Sequence, residues 1–433
     1  MNFLKKIFSP TILTISFLLL FYTFYKSEII WNGDNRNYYK TYYLVSSILI
    51  CFSIITFFIN QKIKEYLVII IISFISTLYL FQGYLTFYPK IKNEMAYKKE
   101  TKKKWDRRTK KEIYNDFSAS NDNVSLAIPL NAYLDNTKPI FPFGGASFSK
   151  AINCNENGYY SIINTDRYGF NNPDDEWNIY DIEYFLVGDS YVQGDCVNMP
   201  NDMASVLRTI TSKSILNLGM RGSGTLSQYA VIREYLNPNM KKILFFFYEG
   251  NDLSDLKSQK QNKILMRYVN DKNFSQNLKL RQSEIDDYVD DIINLEIENL
   301  EKSHYYLKDF FSFIRLFDLR FLIKKKDYTQ PKPDLFFKQI LMLTKELIDN
   351  NNSKLYFIYL PEYARYNQKY NNDSYNLVKK IVTDLKIEFI DIHEELFLKE
   401  KNHMEIFSIA HPHHYSVAGY KKVAEIIYEF TKD

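Results

Sequence analysis

A surplus of charge of either sign is what this chain most lacks: 55 Lys and Arg stand against 51 Asp and Glu, a formal net charge of +4 over 433 residues. So even a balance provides neither the basic footprint of a nucleic-acid binder nor an acidic tail. Cysteine is scarcer still, with three in the whole chain, so the region outside the membrane holds at most one disulfide. There is no internal repeat and no low-complexity tract, which excludes a solenoid and a biased linker. Aromatics are what the chain has in abundance: 36 Tyr and 33 Phe supply ample apolar volume for a core. The length suits a membrane module plus one large domain, or two small ones.

Charge is also missing from three apolar segments, at residues 10–25, 41–60 and 66–88. The second and third are long enough to cross a hydrocarbon core of ~30 Å at ~1.5 Å per residue. The first is shorter, but Ile7 and Phe8 extend it, and Lys5, Lys6 and Lys26 can snorkel at its ends. No small-residue cleavage site follows it; Phe24, Tyr25 and Lys26 occupy that place, so it reads as a retained anchor rather than a signal peptide. With no charged side chain inside them, the three read as an anchor, not as an ion or proton pathway. Loop charges leave the orientation open, because Lys5, Lys6, Lys62 and Lys64 on one side nearly balance Lys26, Arg36 and Lys40 on the other. The basic flank from Lys98 to Lys111 would, by the positive-inside rule, stay in the cytoplasm.

Three regions follow from these patterns. Residues 1–89 form the anchor. Residues 90–178 read as a charged helical stalk, with Met95, Trp105, Ile113 and Phe117 at loose helical spacing, and then an irregular lead-in. Residues 179–433 alternate strand and helix, the pattern of a parallel sheet with flanking helices. The expected strands are 184–187, 214–218, 242–248, 354–360 and 387–390, with helices at 203–211, 227–235, 333–350, 375–385 and 417–432. A charged, helical insertion at about 254–330 interrupts the alternation and reads as a lid or substrate wall over the sheet's carboxyl edge. Cys51 lies within the second apolar segment. Cys154 and Cys196 flank the first strand, and either form one disulfide, which would imply an oxidising compartment, or are two buried thiols.

Chemistry concentrates at the strand ends. The run Ile182-Glu-Tyr-Phe-Leu-Val stops at Gly188-Asp189-Ser190, which presents a serine hydroxyl where ligand sites of α/β sheets lie. The second strand ends in Asn217-Leu-Gly-Met-Arg-Gly-Ser-Gly224, whose glycines let backbone N–H groups approach a ligand. The third ends in Glu249-Gly-Asn-Asp252, which sets the Asn251 amide at the same edge. Before the last helix comes His411-Pro-His-His414. Asp189 and Asp252 read as caps or braces. A His-x-His without carboxylates is a weak zinc signal, so His411 and His413 read as surface residues or as supports behind the site, and neither metal nor cofactor is expected. Arg221 is either solvated or placed to meet an acidic substrate.

In order, strand-end context and spacing, these blocks resemble the SGNH, or GDSL, hydrolase superfamily from about Tyr184 to the C-terminus. The resemblance implies a flavodoxin-like three-layer α/β/α sandwich around a parallel five-stranded sheet. It implies Ser190 as nucleophile, with the N–H groups of Ser190 and Gly222 and the Asn251 amide as oxyanion hole. His414, five residues before Gly419, matches the general base. The family's last block carries an Asp three residues before that histidine; here the position is His411, which cannot neutralise an imidazolium. Support for His414 is therefore sought from Glu405, Asp391 or a backbone carbonyl. Residues 159–173 resemble bacterial membrane-anchored SGNH-like proteins associated with surface polysaccharides, which implies an extracytoplasmic, periplasmic domain. The expectation is a multi-pass membrane esterase or O-acyltransferase acting on acyl, foremost acetyl, esters of an envelope glycan. Its expected partners are the lipid bilayer, an acylated glycan and, for transfer, a membrane acyl-donor protein. The alternatives are a non-catalytic glycan-binding or assembly protein, which the missing Asp allows, and a cytoplasm-facing lipase drawn to anionic headgroups through the basic flank.

Overall fold

The computed structural model describes residues 2–120, 122–302, 305–323, 330–409 and 413–432. It divides into two compact units, one of Met1–Tyr88 with Asp309–Ile323, the other of Pro89–Lys308 with Lys324–Asp433. The chain thus passes from one unit to the other three times.

In the first unit, α1 (Asn2–Phe24), α2 (Arg36–Phe58) and α3 (Gln61–Thr101) carry the three apolar segments. Each lies in a helix long and apolar enough to cross a membrane. α1 and α2 run antiparallel, because the Ser9 hydroxyl at the start of one bonds the Thr56 carbonyl at the end of the other, 3.1 Å. Ser16, Thr23, Ser46, Ser53 and Thr56 turn inward and bond their own helix carbonyls, as Ser16 does to Ile12 and Ser46 to Tyr42, both 2.7 Å. Ile15, Phe17, Leu18, Phe21, Leu44 and Ile48 face outward. That inversion of the usual soluble pattern is what a lipid solvent selects.

The second unit opens with α4 (Lys110–Ser118), whose Ile113 is buried in the main core. The lead-in then forms a small sheet of three-residue strands, β1 (Val124–Leu126), β2 (Lys150–Ile152) and β3 (Ile162–Asn164), in the order β1-β2-β3. Next come β4 (Ile182–Val187), α5 (Ser190–Gln193), α6 (Met203–Thr211), β5 (Ile215–Asn217), α7 (Thr225–Tyr235) and β6 (Met240–Tyr248). The insertion holds α8 (Asp252–Gln259), α9 (Lys263–Asn270), α10 (Gln282–Lys302), α11 (Tyr305–Ile314) and α12 (Phe317–Ile323). The chain closes with α13 (Leu335–Asn350), β7 (Lys354–Leu360), α14 (Ala364–Asn367), α15 (Asp373–Asp384), β8 (Glu388–Asp391) and α16 (Val417–Thr431).

β4 to β8 make the expected five-stranded sheet, parallel throughout and ordered β5-β4-β6-β7-β8. Renumbered along the chain this is 2-1-3-4-5, the flavodoxin-like order, whose switch point lies beside its first strand. Strand periodicity builds the three layers: Phe185, Val187, Ile243, Phe245 and Phe247 face one core with α7 and α13, while Tyr184, Leu186, Leu244 and Phe246 face a second with α6 and α16. Rings stack across the strands from Phe245 to Phe357 to Phe389, centroids 5.8 and 5.7 Å apart. Each such buried side chain contributes about 1.5–3 kcal/mol, and together they fix the register that sets the carboxyl ends of β5, β4 and β6 side by side.

Candidate active site

Ser190 owes its position to a tight junction. A Cβ on Gly188 would collide with Val192 and Phe246, so only glycine lets β4 turn this sharply. Asp189 caps the turn by accepting the Tyr191 N–H at 3.0 Å, which leaves Ser190 as the first residue of α5. From the other end of the chain, His414 reaches back: its Nε2 lies 2.9 Å from Ser190 Oγ.

The other ring nitrogen meets a residue that the sequence blocks do not contain. His414 Nδ1 lies 3.0 Å from Oε1 of Glu156, in the loop between β2 and β3. The second Glu156 oxygen accepts the Ser408 hydroxyl at 2.9 Å, and the Ser408 N–H donates to the His414 carbonyl at 2.9 Å, so acid and base are locked to one another. An ionised carboxylate only accepts; Nδ1 therefore carries the proton and Nε2 offers its lone pair to the serine O–H. Burial acts to raise the Glu156 carboxyl, but the hydrogen bonds and charge of His414, with the Ser408 hydroxyl, hold it below its ordinary value. Burial likewise acts to lower His414, yet the bond to Glu156, its charge and that of Asp195 leave the imidazole above its ordinary value.

Glu156 corrects the search for a supporting acid. Asp391, at the end of β8, accepts from the Tyr375 hydroxyl at 2.6 Å and from Lys379 at 2.9 Å. Glu405 is exposed and takes the Asn402 amide. Neither bonds His414, because each is already committed to neighbours on its own stretch of chain. His411 lies outside the described residues.

The loop bearing Glu156 is fastened at three points to the segment after α5. Cys154 and Cys196 form a disulfide, the Asn153 amide donates to Asp195 at 2.7 Å, and the Asn157 amide donates to the Cys196 carbonyl at 3.1 Å. Asp195 is fully buried, 3.1 Å from the Arg221 guanidinium and 3.8 Å from His414 Nε2. Arg221, which in sequence reads as solvated or ready for an acidic substrate, is taken up by Asp195 and by Asn153 at 3.0 Å. Glu156, Cys196 and His414 have a metal-like spacing, but a disulfide sulfur offers no thiolate ligand.

Beyond the ends of β5 and β6, the strands either side of β4, sit the other two expected residues. Gly222, in the loop after β5, has φ +74°, a left-handed conformation that glycine adopts without strain. That loop is pinned by the Met220 N–H on the Gly188 carbonyl, 3.1 Å, and the Arg221 N–H on the Gln193 side chain, 3.0 Å. Asn251 stands at the N-cap position of α8 after β6 but makes no side-chain cap bond, and its side-chain oxygen is buried without a hydrogen-bond partner. Asp252 braces this corner by accepting from the Tyr248 N–H at 3.2 Å and the Gln228 amide at 3.3 Å. Burial pushes Asp189 and Asp255 up to about 7, and burial with their neighbouring charges raises Asp252 well above the ordinary carboxylate value.

A serine, a histidine and a glutamate joined in series at the carboxyl edge of a flavodoxin-like sheet can activate a hydroxyl for attack on a carbonyl. No family model and no curated protein matches the chain. Among solved structures, it is similar to a member of the lipolytic protein G-D-S-L family from Veillonella parvula, at 14% identity and TM-score 0.33, over 58% of this chain and 100% of that one. It is also similar to the lipase/acylhydrolase from Enterococcus faecalis, at 13% identity and TM-score 0.31, over 57% of this chain and 95% of that one.

Proposed function

We propose that this chain is a membrane-anchored SGNH-type serine esterase or O-acyltransferase that works on acyl, foremost acetyl, esters of an envelope polysaccharide. The observation that carries the reading is the unbroken relay from Ser190 Oγ through His414 to Glu156. As the Ser190 oxygen attacks an ester carbonyl, its proton passes to His414 Nε2. Glu156 offsets the imidazolium charge through Nδ1–H. The oxyanion is held by the N–H groups of Ser190 and Gly222 and the Asn251 amide, donors each worth about 2.7–4 kcal/mol of barrier. His414 then returns the proton to the departing alcohol oxygen, leaving an acyl-serine. Water resolves it in hydrolysis, or a glycan hydroxyl in transfer, deprotonated in turn by His414.

The binding-only reading drew on the want of an acid beside His414, and Glu156 fills that post. The disulfide supports an oxidising, extracytoplasmic site over a cytoplasmic lipase. Transfer would need a separate membrane protein to deliver the acyl group. Labelling with a serine-directed fluorophosphonate tests the proposal: the full-length protein labels, and Ser190→Ala does not. Equal labelling of both would overturn covalent catalysis at Ser190.

A further inference from the structure

The insertion reads in sequence as one charged helical block, but its end has a different character. Residues 309–323 group with the three anchor helices, not with the domain from which they depart. Within this stretch Phe310, Phe311, Ile314, Phe317, Phe321 and Ile323 are exposed, between 45 and 76%. Leu319, on the covered side of α12, is buried. A helix apolar on its covered and its open faces alike is not built to face water.

What the covered side meets is α3. Asp318 accepts from Gln82 at 2.8 Å and from Thr86 at 2.6 Å, and the Leu319 N–H donates to the Gln82 side-chain oxygen at 3.0 Å. The Tyr79 hydroxyl donates to the Ile314 carbonyl at 2.9 Å, and the Phe313 ring lies 5.8 Å from that of Tyr79. Gly83 faces the same ring, and a Cβ there would stand 3.9 Å from Phe313, in ordinary contact. Gln82 is completely buried by the arrangement. A Gln and a Thr inside an apolar span need partners in hydrocarbon, and Asp318 provides for both.

The contacts fall on the last part of the α3 apolar run. From Tyr88 back to Tyr79 is ~13 Å along a helix, within the ~15 Å of one leaflet's hydrocarbon. The turn between α11 and α12, where Leu316 has φ +52°, sits beside Tyr79 at the deep end. Arg320 on α12 bonds the Tyr42 hydroxyl near the start of α2, 3.2 Å, which is the end of that helix nearest the same membrane face. Arg315 at the turn is exposed and long enough to snorkel toward the headgroups.

We propose that Asp309–Ile323 is a re-entrant hairpin: it enters the leaflet at which the α3 apolar run ends, docks on α3 through the Asp318–Gln82–Thr86 clamp, and presents its phenylalanine face to lipid acyl chains. The inference rests on reading the three N-terminal helices as membrane spans. In full-length protein carrying Cys51→Ser, with Cys154 and Cys196 held in their disulfide, single cysteines at Phe321, Leu80 and Thr137 are labelled with an environment-sensitive fluorophore. The protein is reconstituted in phosphatidylcholine vesicles containing a doxyl-labelled lipid. The probe at Phe321 is expected to be quenched at least half as strongly as that at Leu80, and the probe at Thr137 not at all. If Leu80 is quenched and Phe321 is not, the hairpin proposal fails while the anchor stands; if neither is quenched, both fail. Asp318→Ala is expected to abolish quenching at Phe321 and Asp318→Asn to retain it, with Ser190 labelling unchanged in both. Undiminished quenching in Asp318→Ala would overturn the clamp, and if that variant does not fold, the Phe321 measurement alone decides.

Discussion

At the scale of single residues, the proposed chemistry turns on a carboxylate supplied from ahead of the sheet, Glu156, 3.0 Å from His414 Nδ1. Glu156→Gln keeps the shape and removes the charge, so the imidazolium that forms on His414 loses its counterion. In the serine protease triad, the equivalent neutralisation costs about 10⁴ in turnover; a loss on the order of 10²–10⁴ in ester hydrolysis or fluorophosphonate labelling rate is expected here. The pH profile gives an independent check. His414 must be neutral to act, and its proton is held above the ordinary imidazole range. Activity of the parent therefore rises with pH through a midpoint above 6.5, the ordinary imidazole value, and Glu156→Gln moves that midpoint down. Stability follows the same signs. The raised imidazole stabilises the fold below its unfolded pKa and loses that effect as pH climbs through the folded one. The lowered carboxylate stabilises above its unfolded pKa and loses the effect as pH falls through the folded one. The pair thus contributes most between the ordinary values of 4.5 and 6.5, where Glu156→Gln should lower the melting temperature most.

At the scale of elements, the serine turn and the acid loop are held by different means. Gly188→Ala forces a Cβ into Val192 and Phe246; a loss of about 1–3 kcal/mol is expected, measurable by denaturant titration, with labelling at Ser190 falling in step. The acid loop depends on the disulfide. Cys154 and Cys196 are 42 residues apart, and a loop of that length is worth about 4 kcal/mol of chain entropy when closed. Cys154→Ser should therefore lower the melting temperature and, because Glu156 lies two residues further on, slow labelling at Ser190 even where the protein remains folded. Parent-like labelling in folded Cys154→Ser would show that the loop stays in place without the bond. Much of this was legible in the sequence. The five strands are rich in aliphatic and aromatic residues, and those at the site end in or just before Gly or Asn, so Ser190, Gly222 and Asn251 fall in the turns that follow β4, β5 and β6. Glu156 was not legible: it belongs to a stretch with no period, 258 residues from its partner, and only chain closure through Cys154 joins them. Its one sequence signal is an acidic residue two places after a cysteine whose partner lies six places after the serine. β1 to β3 are three residues each, too short for alternation to register, and the apolar helices of the insertion were averaged into its charged surroundings.

At the scale of the whole molecule, cysteine chemistry reports both fold and compartment. Protein isolated from its native membrane without reductant, then denatured, should take up one maleimide, at Cys51, and three after reduction; mass shifts on a gel read the count. Three before reduction would mean that the pair never forms in the cell and would remove the support for an oxidising location. Cysteines introduced at Asn32 and Ser120 should both react with an impermeant reagent from outside intact cells, as a domain beyond the cytoplasm requires. The threefold passage of the chain between its two units carries one more consequence. A protease that nicked the segment joining α3 to α4 would separate the sheet domain from the first three helices, yet that fragment would still carry Asp309–Ile323 with it. Shedding by a single cut would fail, and the clipped protein would stay moored where it was made.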